Sequence, residues 1–216
     1  MFEAILFDND GVLVDTEKRH VLACQEIVEE MFGFSYSLKD YQEYGYTNGT
    51  GTSGWLRDKE ISEEEIARFQ ELRNVRYVEF LADRIEPMSG VWEVLKFLRE
   101  RNIPRAVVTA TPRPHLEFSH SQTGLLEEFR FAICNKEVPR SKPFPDGYLA
   151  AAEKLGIPPV KCLVLEDSPR GVAAGKVAGM TVWAIPSGQT KELDFSLADE
   201  VFESLDEVLV KLQSLY

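Results

Sequence analysis

The sequence predicts an α/β protein: one parallel sheet of five strands between layers of helices, with a small helical insert. Three observations predict it. Apolar runs of strand length alternate with stretches of helical period from residue 87 onward. A further apolar run opens the chain and ends in Asp8-Asn9-Asp10-Gly11. Between them, residues 15–86 carry two long helical patterns and no strand pattern. The expected division is therefore a discontinuous main domain, 1–14 with 87–216, and an inserted helical domain, 15–86.

Each element has its own warrant. Phe2-Glu3-Ala4-Ile5-Leu6-Phe7 reads as a buried strand. From Thr16 to Met31, Val21, Leu22, Ile27, Val28 and Met31 recur at helical spacing, and Gly33 is a natural stop. Residues 34–61 are polar, aromatic and glycine-rich. Thr47-Asn48-Gly49-Thr50-Gly51-Thr52-Ser53-Gly54 reads as a flexible loop, either a plain linker or a loop that wraps a ligand. Ser62-Glu63-Glu64-Glu65 is a capping box, and Ile66, Phe69, Leu72, Val75, Val78 and Leu81 continue a long helix. Glu86-Pro87-Met88-Ser89-Gly90 punctuates the return to the main domain, where Val91, Val94, Leu95 and Leu98 mark a helix. Strands are expected at Arg105–Thr109, Phe131–Cys134, Cys162–Leu165 and Thr181–Ile185, separated by helices near 113–123, 146–155 and 170–178. Leu205, Val208, Leu209, Leu212 and Leu215 close the chain as an amphipathic helix.

Composition narrows the functions. With 44% hydrophobic and 28% charged residues, the 216-residue chain has the make-up of a soluble globular protein. A formal net charge of −12 argues against nucleic-acid or anionic-membrane partners, which call for basic surface. An anionic substrate must then be captured by a local positive site. Cys24, Cys134 and Cys162 are odd in number and lack zinc-type spacing, which fits a reducing compartment. No leader pattern and no membrane-length apolar run appears, so a cytoplasmic protein is expected.

The chemistry gathers at strand ends. Asp8 and Asp10 are crowded carboxylates beyond the first strand, where open α/β sheets bind ligands. On its own, such a turn reads first as two solvated acids. As a site, the pair needs a cation, and hard oxygens of this kind suit Mg²⁺ beside a substrate phosphate. Thr109-Ala110-Thr111-Pro112 ends the second strand in hydroxyls before a proline-initiated helix, which suits a phosphate oxygen or a simple N-cap. Ser141-Lys142-Pro143-Phe144-Pro145-Asp146 stiffens the backbone around a lysine that would otherwise be ordinary surface. Glu166 and Asp167 end an apolar strand, where two acids are costly without a cation, although Asp167 alone would serve as a helix cap.

Taken in order, Phe7 to Glu17, the Val107–Pro112 strand end, Lys142-Pro-Phe-Pro-Asp146 and Leu163–Ser168 with Gly171 to Gly175 resemble the four motifs of the haloacid-dehalogenase-like phosphohydrolases. Within them the chain is similar to the helical-cap subgroup of phosphoglycolate phosphatase, sugar-phosphate phosphatases and β-phosphoglucomutase. The resemblance spans the chain, although the insert matches in length and helical character more than in residues. It implies a Rossmann-like core with a cap, and a Mg²⁺-dependent phosphatase acting on a small phosphorylated metabolite of the sugar or polyol class. It makes Asp8 the nucleophile, Asp10 the general acid and base, and Thr109, Ala110, Lys142 and the Asn9 amide phosphoryl contacts. Asp8, Asp10 through its backbone carbonyl, and Asp167 would hold the metal, with Glu166 a ligand or a holder of metal-bound water.

His20 is expected to bind substrate or orient Asp10, or else to be a plain helix-surface residue. His115 and His120 read as structural, and Arg113 is a possible substrate contact. Asn9 departs from the family, where an apolar residue often stands between the acids; its side chain is expected to point away from phosphorus. The rival is a β-phosphoglucomutase-type mutase, whose cap needs a cation for a distal phosphate. No Lys or Arg lies between Asp40 and Leu56, which favours the phosphatase, with Arg57, Lys59 and Arg76 the remaining cap cations. A non-catalytic binding protein is the more distant alternative, disfavoured because Asp8, Asp10, Lys142 and Asp167 are all present. A monomer is favoured, and hinges are expected near Val14-Asp15 and Arg84–Pro87.

Overall fold

The computed structural model describes residues 1–216. Internal packing divides the chain into two compact units, Met1–Asp15 with Glu86–Tyr216, and Thr16–Ile85.

The first unit is an α/β layer structure. Its strands are β1 (Ala4–Phe7), β2 (Arg105–Val108), β3 (Ala132–Ile133), β4 (Cys162–Glu166), β5 (Thr181–Ala184) and β6 (Glu200–Val201), in the spatial order β3-β2-β1-β4-β5-β6. Every pairing is parallel. The sheet has six strands rather than the five expected. Glu200–Val201 pairs with Trp183–Ala184 at the edge, and a two-residue strand is too short to show a period in sequence. The β1 residues are all fully buried, as a central parallel strand covered on both faces must be. On one face Leu6, Val108, Val164 and Val182 pack with Tyr148 and Val172 in a single apolar cluster.

The helices of this unit are α5 (Val91–Glu100), α6 (Arg113–Ser121), α7 (Asp146–Leu155), α8 (Pro169–Val177) and α9 (Leu205–Leu215). The chain winds from β1 outward through β2 to β3, then crosses to β4 on the other side of β1. That reversal leaves a crevice beyond the carboxyl ends of β1 and β4, the usual ligand position of such sheets.

The second unit is helical. Its long members are α1 (Glu17–Phe32) and α4 (Glu63–Leu81). Gly33 ends α1 at φ 66°, its N–H returning to the Glu29 carbonyl. Ser62 and Glu65 cap α4 reciprocally, as the sequence pattern requires. The stretch expected to be a flexible loop is partly helical instead. After α2 (Leu38–Tyr41) and one wide turn over Gln42–Thr47 comes α3, Gly51–Asp58. Burial of Trp55 and Leu56, with Trp55 edge-on to Tyr36 at 4.8 Å, outweighs the poor helix propensity of Gly51, Thr52 and Gly54. No helix in the chain is long and apolar enough to cross a membrane.

Candidate active site

Four strand ends and the Lys142 loop converge in the first unit. Asp8 leaves β1 with its N–H on the Leu165 carbonyl, so the nucleophile candidate is fixed by the β1–β4 ladder. Gly11 turns the chain at φ 82°. A Cβ there would lie 2.0 Å from Asp167 Oδ2, so only glycine lets the Asp8 loop approach Asp167 this closely.

Lys142 is the hub. Its buried Nζ donates to Asp8 Oδ1 at 2.6 Å, to Glu166 Oε1 at 2.5 Å and to the Val108 carbonyl at 2.8 Å. All three ammonium protons are used, and the Arg170 guanidinium holds the Lys142 carbonyl. Burial alone would lower the Lys142 ammonium's affinity for its proton, but the Asp8 and Glu166 carboxylates outweigh it and hold the lysine charged. Asp8 moves the other way. Burial and the Glu166 charge push its carboxyl well above the ordinary range, against the pull of Lys142. One ammonium thus faces more negative charge than it balances.

Glu166, at 0% exposure, is fully occupied. Oε1 accepts from Lys142 and from Tyr148 Oη at 2.7 Å; Oε2 accepts from the Ser168 hydroxyl at 3.0 Å and the Asp167 and Ser168 amides at 3.2 Å. That network suits a holder of Lys142 better than a free metal ligand. Asp167 Oδ2 accepts from Ser187 Oγ at 3.2 Å.

One oxygen from each of Asp8, Glu166 and Asp167 lies within 4.8 Å of the others. The Asp10 side chain is outside this cluster, accepting from Thr111 Oγ1 at 2.6 Å and Thr109 Oγ1 at 3.5 Å. The Thr111 amide donates to Thr109 Oγ1 at 2.9 Å, so the two threonines and Asp10 form one hydroxyl-lined corner beside Ala110. The structure therefore brings together Asp8, Asp10, Thr109, Lys142 and Asp167. Thr111, Tyr148, Ser168, Ser187 and Arg170 complete the arrangement and carried no assigned role in sequence.

The remaining candidates divide. Asn9 is buried beneath the loop, its Oδ1 2.6 Å from His120 Nε2, so its side chain is committed to the interior. Arg113 pairs with Glu137 and donates to the Ala132 carbonyl at 2.9 Å. His20 lies on α1 of the helical unit. Tyr41 Oη and Tyr46 Oη donate to Glu17 at 2.6 and 2.5 Å, so Tyr41 accepts from His20 Nδ1 at 2.7 Å, leaving His20 Nε2 to accept from Arg73 at 3.1 Å. Of the other cations there, Arg57 pairs with Glu63 and Arg76 with Glu26, Glu30 and Glu79, while Lys59 sits over the Trp55 ring.

A parallel sheet with acids at two adjacent strand ends, a buried lysine and a hydroxyl corner is an arrangement suited to phosphoryl groups. The chain belongs to the haloacid dehalogenase-like hydrolase family, whose model matches residues 2–179. Protein CbbY of Rhodobacter capsulatus is 32% identical over 207 residues, covering 91% of each chain. Hexitol phosphatase A of Escherichia coli is 31% identical over 224 residues, covering 98% of this chain and 95% of that one. The crystal structure of a mutant CbbY from Rhodobacter sphaeroides in complex with xylulose-(1,5)bisphosphate superposes with a TM-score of 0.83 at 28% identity, covering 96% of both chains.

Proposed function

We propose that this enzyme is a Mg²⁺-dependent phosphatase of small sugar or polyol phosphates, working through a phosphoryl group carried on Asp8. The chain is a phosphoric monoester hydrolase. The observation that carries the finer reading is the buried Lys142 hub, which holds one oxygen of Asp8 and leaves the other for attack.

The acid cluster fits a hard divalent cation: three carboxylates lie within 4.8 Å of one another, one ammonium bonds two of them, and burial with the Glu166 charge still raises the Asp8 carboxyl. Asp8 and Asp167, with the Asp10 carbonyl, would hold it. A Mg²⁺ bound there supplies positive charge to the phosphoryl oxygens.

The chain's own residues then have defined work. An Asp8 oxygen forms a bond to phosphorus as the ester bond breaks, and Asp10 gives its proton to the departing alkoxide, releasing an alcohol. Water then attacks phosphorus, Asp10 takes the water proton, and the Asp8–phosphorus bond breaks to free phosphate. Thr109 and the Ala110 amide bind equatorial oxygens, and Lys142 balances their charge throughout. The helical unit is read as the family's cap, the part that selects the leaving group, and its Glu17–His20–Tyr41–Arg73 network is the candidate within it for binding hydroxyls. Pairing of Arg57 and Arg76 with carboxylates supports hydrolysis over mutase chemistry, which needs a cation for a second phosphate. A reducing compartment such as the cytoplasm is in keeping with three buried, unbridged cysteines.

The test is phosphate release from a panel of hexitol, pentulose and smaller polyol phosphates, with Mg²⁺, with EDTA and with Asp8→Asn. Release that requires Mg²⁺ and Asp8 is expected; release that survives both EDTA and the substitution contradicts the reading.

A further inference from the structure

Asn9 and His120 form a polar pair in an interior that an apolar pair would fill more cheaply. Asn9 is 1% exposed and His120 is 3% exposed, with His120 Nε2 2.6 Å from Asn9 Oδ1. Asn9 Nδ2 has no partner and no access to solvent, a deficit of about 1–3 kcal/mol by the usual cost of an orphaned donor. Burial pushes the imidazole down to about 4, so it is neutral at physiological pH and carries one N–H. Thr123 Oγ1, 3.0 Å from Nδ1, is the partner on the far side of the ring. Asn9 Oδ1 is an amide oxygen and can only accept, so the ring N–H lies on Nε2 and donates to Asn9, and Nδ1 is left to accept from the Thr123 hydroxyl, which also reaches the His120 carbonyl at 3.4 Å.

Asn9 sits between the nucleophile and the general acid, and its carbonyl accepts from the amides of Val12, Leu13 and Val14 at 3.3, 2.8 and 3.2 Å. Its backbone therefore closes the loop that presents Asp8 and Asp10, while its side chain is gripped from α6. The stretch leading into that helix holds the same loop a second time, through Thr111 Oγ1 on Asp10 at 2.6 Å. Two grips, one before α6 and one in its last turn, fix the loop against the element that carries the hydroxyl corner.

We propose that His120 and Asn9 are positioning residues, the imidazole N–H holding the Asp8–Gly11 loop in register so that Asp10 meets the leaving oxygen. The inference rests on the phosphatase reading for its kinetic consequence, although the pair itself is independent of it. An error of about 1 Å in such placement costs up to about 100-fold in turnover.

The test uses the full chain and four variants: His120→Leu, His120→Gln, Asn9→Leu and the double Asn9→Leu/His120→Leu. His120→Leu and Asn9→Leu are expected to lower kcat by about 10- to 100-fold with KM within about twofold. His120→Gln, which keeps an N–H donor, is expected to recover most of kcat, and the double variant to be no worse than either single one. Lower thermal stability with kcat unchanged, or losses that multiply in the double variant, overturns the proposal. Long-range ¹⁵N–¹H NMR of the wild-type His120 ring gives a readout that needs no activity. A proton on Nε2 is expected, and a proton on Nδ1 overturns the assigned donor. A wild type inactive on every ester would sink the phosphatase reading, and the NMR result would still decide the pair.

Discussion

Replacing Gly171 by alanine tests how tightly the Lys142 hub is built. In an ordinary helix the change stabilises by about 0.5–1 kcal/mol. Here a Cβ at residue 171 would lie 1.7 Å from Glu166 Oε1 and 1.8 Å from its Cδ. Non-bonded atoms need about 3.5 Å, so the carboxylate must retreat by more than about 1 Å. A flexible surface glutamate would do so freely, but Glu166 is fully buried and held by Lys142, Tyr148 and Ser168. Hydrogen bonds to a charged group are worth about 1.5–3 kcal/mol each, so losing two outweighs the propensity gain and leaves a net loss of about 2–5 kcal/mol. At about 2–4 °C per kcal/mol for a chain of this size, the melting temperature should fall by about 4–20 °C. Lys142 would lose one anchor, so phosphate release should fall as well. Thermal melts by circular dichroism beside steady-state assays read both quantities. An alanine variant as stable and as active as the wild type would refute the reasoning.

Three further outcomes follow from the same geometry. Lys142→Met leaves Asp8 and Glu166 buried without their cation, a loss of about 3–5 kcal/mol for a broken buried pair; urea unfolding should show the deficit growing as pH rises, and turnover should be abolished. Burial and Glu166 push Asp8 up to about 8 in the metal-free protein, so its contribution to metal-free stability is present at low pH and lost as pH rises through about 8. Mg²⁺ binding at neutral pH should therefore release a proton and tighten toward pH 8, which calorimetry in buffers of different ionisation enthalpy reads; binding without proton release contradicts it. His120 shifts in the opposite sense, from an ordinary 6.5 down to about 4, so its neutral form contributes stability above 6.5 that is lost as pH falls through about 4. The difference amounts to about 3 kcal/mol, and His120→Gln should lose less stability than the wild type across that interval.

The parts of the molecule legible in sequence are those set by local pattern. The buried central strands appear as apolar runs, Asp8, Asp10, Thr109 and Asp167 stand just beyond strands, and Lys142 stands in the proline-stiffened loop before α7, where the four motifs place them. Ser62 and Glu65 announce the α4 start because a capping box is a local signal. What was illegible depends on tertiary contact. Tyr148 reaches Glu166 at the end of β4 from α7, Ser187 reaches Asp167 from a loop twenty residues on, and Thr111 differs from Thr109 only by where the backbone turns. His120 reads as a structural histidine because its partner, Asn9, is 111 positions away. The edge strand β6 has too few residues for a period, and α3 hides behind glycine and threonine until the burial of Trp55 is seen.

The most direct test of the central claim is a rapid acid quench of the enzyme during turnover of a polyol phosphate with Mg²⁺, followed by peptide mass spectrometry. The account predicts a phosphoryl group on the peptide carrying Asp8, decaying as phosphate appears and missing in Asp8→Asn. Turnover with Asp8 never modified, at quench times spanning the catalytic cycle, would contradict the account.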